Sequence, residues 1–123
     1  MHHQGFTLIE VLISLIMLSL ILLGFDAMEI YSLRSIRATY YFHLATFQWI
    51  SIAERLRSIG SRSGIEEQVA AWNEQNKQLL PQGIGSVTGS YPNYTVTIYW
   101  GGMTAACQKI QLGQTGCLQQ SIA

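Results

Sequence analysis

The sequence predicts an α+β fold in which one long N-terminal helix, half membrane segment and half domain spine, packs against a small antiparallel sheet. Three observations predict it. Phe6 to Phe25 is an apolar run of 20 residues with one formal charge, Glu10. Apolar residues continue at helical spacing from Asp26 to Ile59, a stretch with no proline and no glycine. Near the C-terminus, Tyr94 to Trp100 (Y-T-V-T-I-Y-W) alternates and is β-branched and aromatic, which reads as a strand. The expected divisions are a leader at 1–5, a transmembrane half-helix at 6–25, an amphipathic half-helix at 26–59 and a small head at 60–123.

The first element is the apolar run. At about 1.5 Å per residue, 20 helical residues span roughly 30 Å, the thickness of a bilayer's hydrocarbon core. The run is apolar on every face, so it is not a soluble amphipathic helix. Glu10 is the exception. A charge in lipid costs a few kcal/mol or more unless it finds a partner. The positive end of the helix lies close by and favours an anion. Snorkelling to the surface is a second outlet. A third is an amine: a cut after Gly5 would give Phe6 a free α-amino group within a turn of Glu10, on the same chain or on a neighbouring copy.

Gly5-Phe6-Thr7-Leu8-Ile9-Glu10, followed by an apolar run, resembles the processing site of type IV prepilins. The resemblance implies a pilin-like fold, cleavage between Gly5 and Phe6 by prepilin peptidase, and N-methylation of Phe6. It matches Glu10 to the family's assembly carboxylate, which pairs with the terminal amine of an adjacent subunit. It also implies a single-pass inner-membrane protein, N-terminus cytoplasmic and head periplasmic, that passes into the fibre or its tip. The leader departs from the family in carrying His2 and His3 but no Lys or Arg. Arg34 and Arg37 follow the span, so charge alone leaves the orientation open, and the orientation here comes from the resemblance.

The second half of the helix shows Ile30, Leu33, Ile36, Tyr40, Leu44 and Phe47, and then Trp49, Ile52, Leu56 and Ile59, each series at spacings of three or four, read as the spine under the sheet. Some of its aromatic residues would face neighbouring subunits instead. A continuous helix from Thr7 to Ile59 would be roughly 80 Å long. Gly60, among Arg55, Arg57 and Arg62, is the expected stop. The loop at 61–64 leads to a second helix over Ile65–Leu80, with Ile65, Val69, Trp72 and Leu79 on one side, Glu66 and Glu67 in the first turn, and Pro81 beyond its end. Gln82 to Ser90 reads as a loop with at most a short edge strand, and Tyr91-Pro92-Asn93 as a turn. The strand at 94–100 follows. After Gly101-Gly102, Cys107 to Leu112 alternates again and is expected to form a further strand.

Cys107 and Cys117 are the two cysteines. If the C-terminal part is exported, a bridge between them closes a short loop and pins the tail to the sheet; two unpaired thiols are the alternative. Zinc is not suggested, because no second Cys or His pair has ligand spacing.

Composition excludes several functions. Seven basic residues balance seven acidic ones, and charged residues make up 11% of the chain. That gives no pull towards nucleic acid; past Gly60 the basic residues are only Arg62, Lys77 and Lys109. No nucleophile elbow, zinc-protease, Walker or dinucleotide motif occurs. His43, the one histidine outside the leader, sits in the helix and reads as a packed or exposed helix residue. No catalytic residue, metal ligand or cofactor is expected.

Within the family, Arg34-Ser35, the segment Ile52-Ala53-Glu54-Arg55-Leu56-Arg57-Ser58, the strand at 94–100 and the two cysteines resemble the PilV-type minor pilins. That resemblance implies a part in starting and modulating type IV pili at the fibre tip, with effects on adhesion and twitching motility. The implied partners are prepilin peptidase, other minor pilins, the major pilin, the inner-membrane assembly platform and membrane lipid. A minor pseudopilin of a type II secretion system would share this N-terminus. A tip adhesin or DNA-uptake module is the reading from another class.

Overall fold

The structure is a computed structural model and describes residues 5, 7–60, 63–102, 107 and 115–122. Its elements are helix α1 (Leu8–Ile59), helix α2 (Ile65–Leu79) and strands β1 (Ile84–Ser90), β2 (Asn93–Trp100) and β3 (Gly116–Ile122). The strands form one antiparallel sheet in the order β1-β2-β3. The fold is therefore α+β, with a long N-terminal helix and a small sheet. By its internal contacts the chain divides into two units, Met1–Leu33 and Arg34–Ala123.

In the first unit every described residue is exposed. The window of α1 richest in apolar residues has a mean hydropathy of 2.7, and none of it is buried. Among the described residues nothing covers these side chains, an exposure that suits lipid or other helices.

The second unit holds the core. Ala45, Ile52, Ala53 and Leu56 of α1 cluster with Trp72, Leu80, Tyr94, Val96, Ile98, Trp100 and Ile122. The central strand β2 supplies Tyr94, Val96, Ile98 and Trp100 from one face, the period of two that its sequence predicts. The helical stripe differs from the expected one. The buried positions on α1 are Ala38, Ala45, Gln48, Ile52, Ala53 and Leu56, whereas Ile36, Tyr40 and Phe47 are exposed. Ile52 and Leu56 of the expected stripe are core and Leu44 and Trp49 pack against it, while its other bulky members are turned away and Ala38, Ala45 and Ala53 take buried positions instead.

Helix α2 ends one residue short of Leu80, at Leu79. Its buried residues are Trp72 and Asn76; Leu79 is exposed, and Leu80, just past the helix, takes the core position expected of Leu79. Gly64, at φ 118°, turns the chain into the helix in a conformation suited to glycine.

Two expectations about the sheet are corrected. The segment read as a loop is a full seven-residue strand, β1, paired with β2 from Ile84↔Tyr99 to Ser90↔Asn93. Its glycines have a packing reason: a Cβ on Gly85 would fall on the Trp72 indole ring. The tail from Gly116 on, Cys117 included, is itself a strand, β3, paired with β2 from Tyr94↔Ile122 to Trp100↔Gly116. The strand expected over 107–112 lies outside the described residues except for Cys107, which is in no strand. Cys107 is disulfide-bonded to Cys117, with their Cα atoms 5.7 Å apart.

Candidate functional site

The N-terminal site is built on the first turn of α1. Thr7 precedes the helix, and its carbonyl accepts from the Glu10 N–H at 3.0 Å and the Val11 N–H at 3.3 Å. Gly5 lies before the helix, in no regular structure, and is exposed. Phe6, the residue expected to become the new terminus, lies outside the described residues. Gly5 itself has no folding explanation. An added Cβ would meet nothing within 4 Å, and its backbone is not in the left-handed region that favours glycine.

Glu10 sits in the first turn of α1 and is exposed, with Val11, Leu12 and Ile13 exposed beside it. Among the described residues it makes no ion pair; Lys77–Glu74, on α2, is the salt bridge there. One turn on, the Ser14 hydroxyl donates to the Glu10 carbonyl at 2.8 Å, and the Ser19 hydroxyl does the same to Leu15 at 2.8 Å. These serines satisfy themselves on their own helix, as a hydroxyl in lipid must. The Glu10 carboxylate is different: the first arginine of its helix is Arg34, several turns away.

A second feature is an exposed stripe that the sequence reading had merged with the spine while expecting some of its aromatic residues to face neighbouring subunits. Ile36, Tyr40, His43, Phe47 and Ile50 follow one another at steps of four, three, four and three, and all are exposed. Tyr40 is 58% exposed and Phe47 66%. That spacing is the heptad seam of helices that pack side by side. The larger aromatic side chains make the signal; what hid it was the assumption that the bulkiest stripe is the core. His43 belongs to this stripe, its ring 6.5 Å from that of Phe42. Among the described residues no group of three or more His, Cys, Asp or Glu is placed to hold a metal.

No curated protein and no solved structure gives a significant match to the chain. A family model described as the prokaryotic N-terminal methylation motif matches residues 1–25, which contain Gly5 and Glu10. The chain therefore carries a prepilin-like N-terminus on an apolar helix long enough to anchor it in a membrane.

Proposed function

We propose that this protein is a minor pilin of the PilV type, cut after Gly5, N-methylated at Phe6 and assembled through Glu10. The observation that carries the proposal is a single carboxylate one turn into an exposed apolar helix, within a matched methylation motif. The terminal amine created at Phe6 supplies a cation next to Glu10, where the nearest arginine of α1, Arg34, is 24 residues on. Pairing across subunits would bring two charges together in a medium where their attraction is strong and each alone is costly. Residues 1–5 are the leader in this reading. The next 20 are the membrane and assembly segment, 26–59 the spine, and 60–123 complete the head.

Assembly also needs lateral contact, and the seam from Ile36 to Ile50 offers an apolar strip for a neighbouring helix. The protein is structural in this account, and prepilin peptidase and the other pilins are its partners. It would start in the inner membrane, with its head in the periplasm, and end at the fibre tip. Deleting the gene in its native host should cut surface pilus number and twitching at least several-fold, with recovery by the wild-type chain but not by Glu10→Val. Normal pili together with lost protein secretion would assign it to a type II secretion pseudopilus instead.

A further inference from the structure

A pocket of about 280 Å³ lies where the last turn of α1 meets one end of the sheet, lined by Leu56, Arg57, Tyr91, Pro92, Tyr94 and Ile122. The turn at Tyr91-Pro92 joins β1 to β2 at that end, and β3 finishes there, because Ile122 pairs with Tyr94. Directly paired residues of an antiparallel sheet share a face, so the Tyr94 and Ile122 side chains stand side by side. Both are buried, and so is Leu56, which adds to this floor from α1. On its other side Tyr94 pairs with Gly89, which brings no side chain to fill the space.

The polar groups of this pocket are donors. Arg57 is exposed and makes no ion pair among the described residues. None of the residues that line the pocket is acidic. Tyr94 is 5% exposed, and among the described residues its hydroxyl has no hydrogen-bond partner. A tyrosine hydroxyl at such a depth ordinarily has one. It is not among the sealed polar atoms that lack a partner, which belong to Gln48, Trp49, Asn76 and Trp100. The opening that Tyr94 has is the pocket it lines.

We propose that this pocket binds a carboxylate carried on a small aliphatic body, the chemistry of a polypeptide's last residue or of a free organic acid. The fork of N–H groups on Arg57 matches the two oxygens of a carboxylate. The Tyr94 hydroxyl donates to the same group, which gives that buried oxygen the partner it lacks. Leu56 and Ile122 below, with Tyr91 and Pro92 beside them, take the aliphatic body out of water. An acidic sugar has the charge but not the body: its hydroxyls would lie against Leu56 and Ile122, where nothing pairs with them. The site does not depend on entry into a fibre, so its failure and that of the assembly reading are separate results.

The test titrates the full chain in detergent with N-acetyl-leucine, 4-methylpentanoate, glucuronate and the neutral N-acetyl-leucinamide, and follows methyl resonances by NMR. Saturable shifts at Leu56 and Ile122 are expected with the first two probes, while Ile52, elsewhere in the core, stays in place. The tighter of these two probes tells a polypeptide end from a free acid, and binding of either supports the site. The neutral amide should bind at least tenfold more weakly. Arg57→Gln should weaken N-acetyl-leucine at least tenfold and Arg57→Lys less, because a lysine keeps the charge and loses the fork. Tyr94→Phe should weaken it several-fold; if that variant does not fold, the two Arg57 variants carry the test, since Arg57 is exposed. The proposal is overturned if the amide binds as well as the acid, or if glucuronate binds and the aliphatic acids do not. It is also overturned if no probe gives a saturable shift, or if Arg57→Gln lowers thermal stability and leaves binding unchanged, the mark of an arginine that serves only the end of its own helix.

Discussion

The Trp72 indole N–H donates to the main-chain carbonyl of Gln48 at 3.0 Å, with Trp72 fully buried. This bond ties α2 to the spine at the centre of the core, where both the ring and its one polar group are satisfied. Trp72→Phe should cost about 1–2 kcal/mol from the lost hydrogen bond and lost area, and Trp72→Ala about 3–5 kcal/mol. Thermal unfolding of the full chain in detergent, followed by circular dichroism, measures both. A Trp72→Phe variant as stable as the wild type would deny the hydrogen bond its part.

Asn73 fixes the start of β1 through its two bonds to Gly85. Asn73→Ala should destabilise by about 1–3 kcal/mol, because it leaves the Gly85 N–H and carbonyl unpaired at a half-buried position. Amide exchange at Gly85 should speed up at least tenfold. Unchanged protection at Gly85 would show that the side chain is not what guards it.

Gly85→Ala should be worse than an ordinary strand substitution, since the new Cβ would fall on the Trp72 ring. A cost of about 1–3 kcal/mol is expected from overpacking. Reducing Trp72 to Phe in the same chain should recover part of it, and strict additivity of the two changes would place the strain elsewhere.

The Cys107–Cys117 bridge closes a loop of sequence separation 10 at the start of β3. Its removal by a Cys107→Ser, Cys117→Ser double change should cost about 2–3 kcal/mol in the chain-entropy model. Unfolding with and without reductant gives the same comparison in the wild-type chain. Indifference to reductant would mean that β3 holds to β2 without it.

Phe47 gives the opposite kind of prediction. It is exposed on the heptad seam, so Phe47→Ser should leave unfolding within about 0.5 kcal/mol of wild type. Pilus number in the native host should nevertheless fall several-fold. Loss of stability without loss of pili would make Phe47 a core residue in all but exposure.

The two helices and β2 were legible because each has one strong period or a dense β-branched run. β1 was not, since four of the residues in Ile84–Ser90 are Gly or Ser, and its strand character comes from Val96, Ile98 and Trp72 rather than from itself. β3 hid behind Gln119 and Gln120, polar residues that are exposed on a strand held by its pairing. The helix face was misread for a different reason. α1 carries two stripes, Ala38-Ala45-Ile52 and Ile36-Tyr40-Phe47, and hydropathy favours the bulkier one, which is not the core. Of the N-terminal site, the motif was plain in the sequence; the structure adds that, among the described residues, a Cβ on Gly5 would meet nothing and Glu10 makes no ion pair.

The central claim is that Glu10 is kept in an apolar helix for an amine that processing creates at Phe6. Intact-mass and N-terminal sequencing of the protein purified from its native host test it most directly. The account predicts a chain beginning at N-methylated Phe6, and an uncut precursor when Gly5 is changed to a bulky residue. A mature wild-type chain that still begins at Met1 would contradict it.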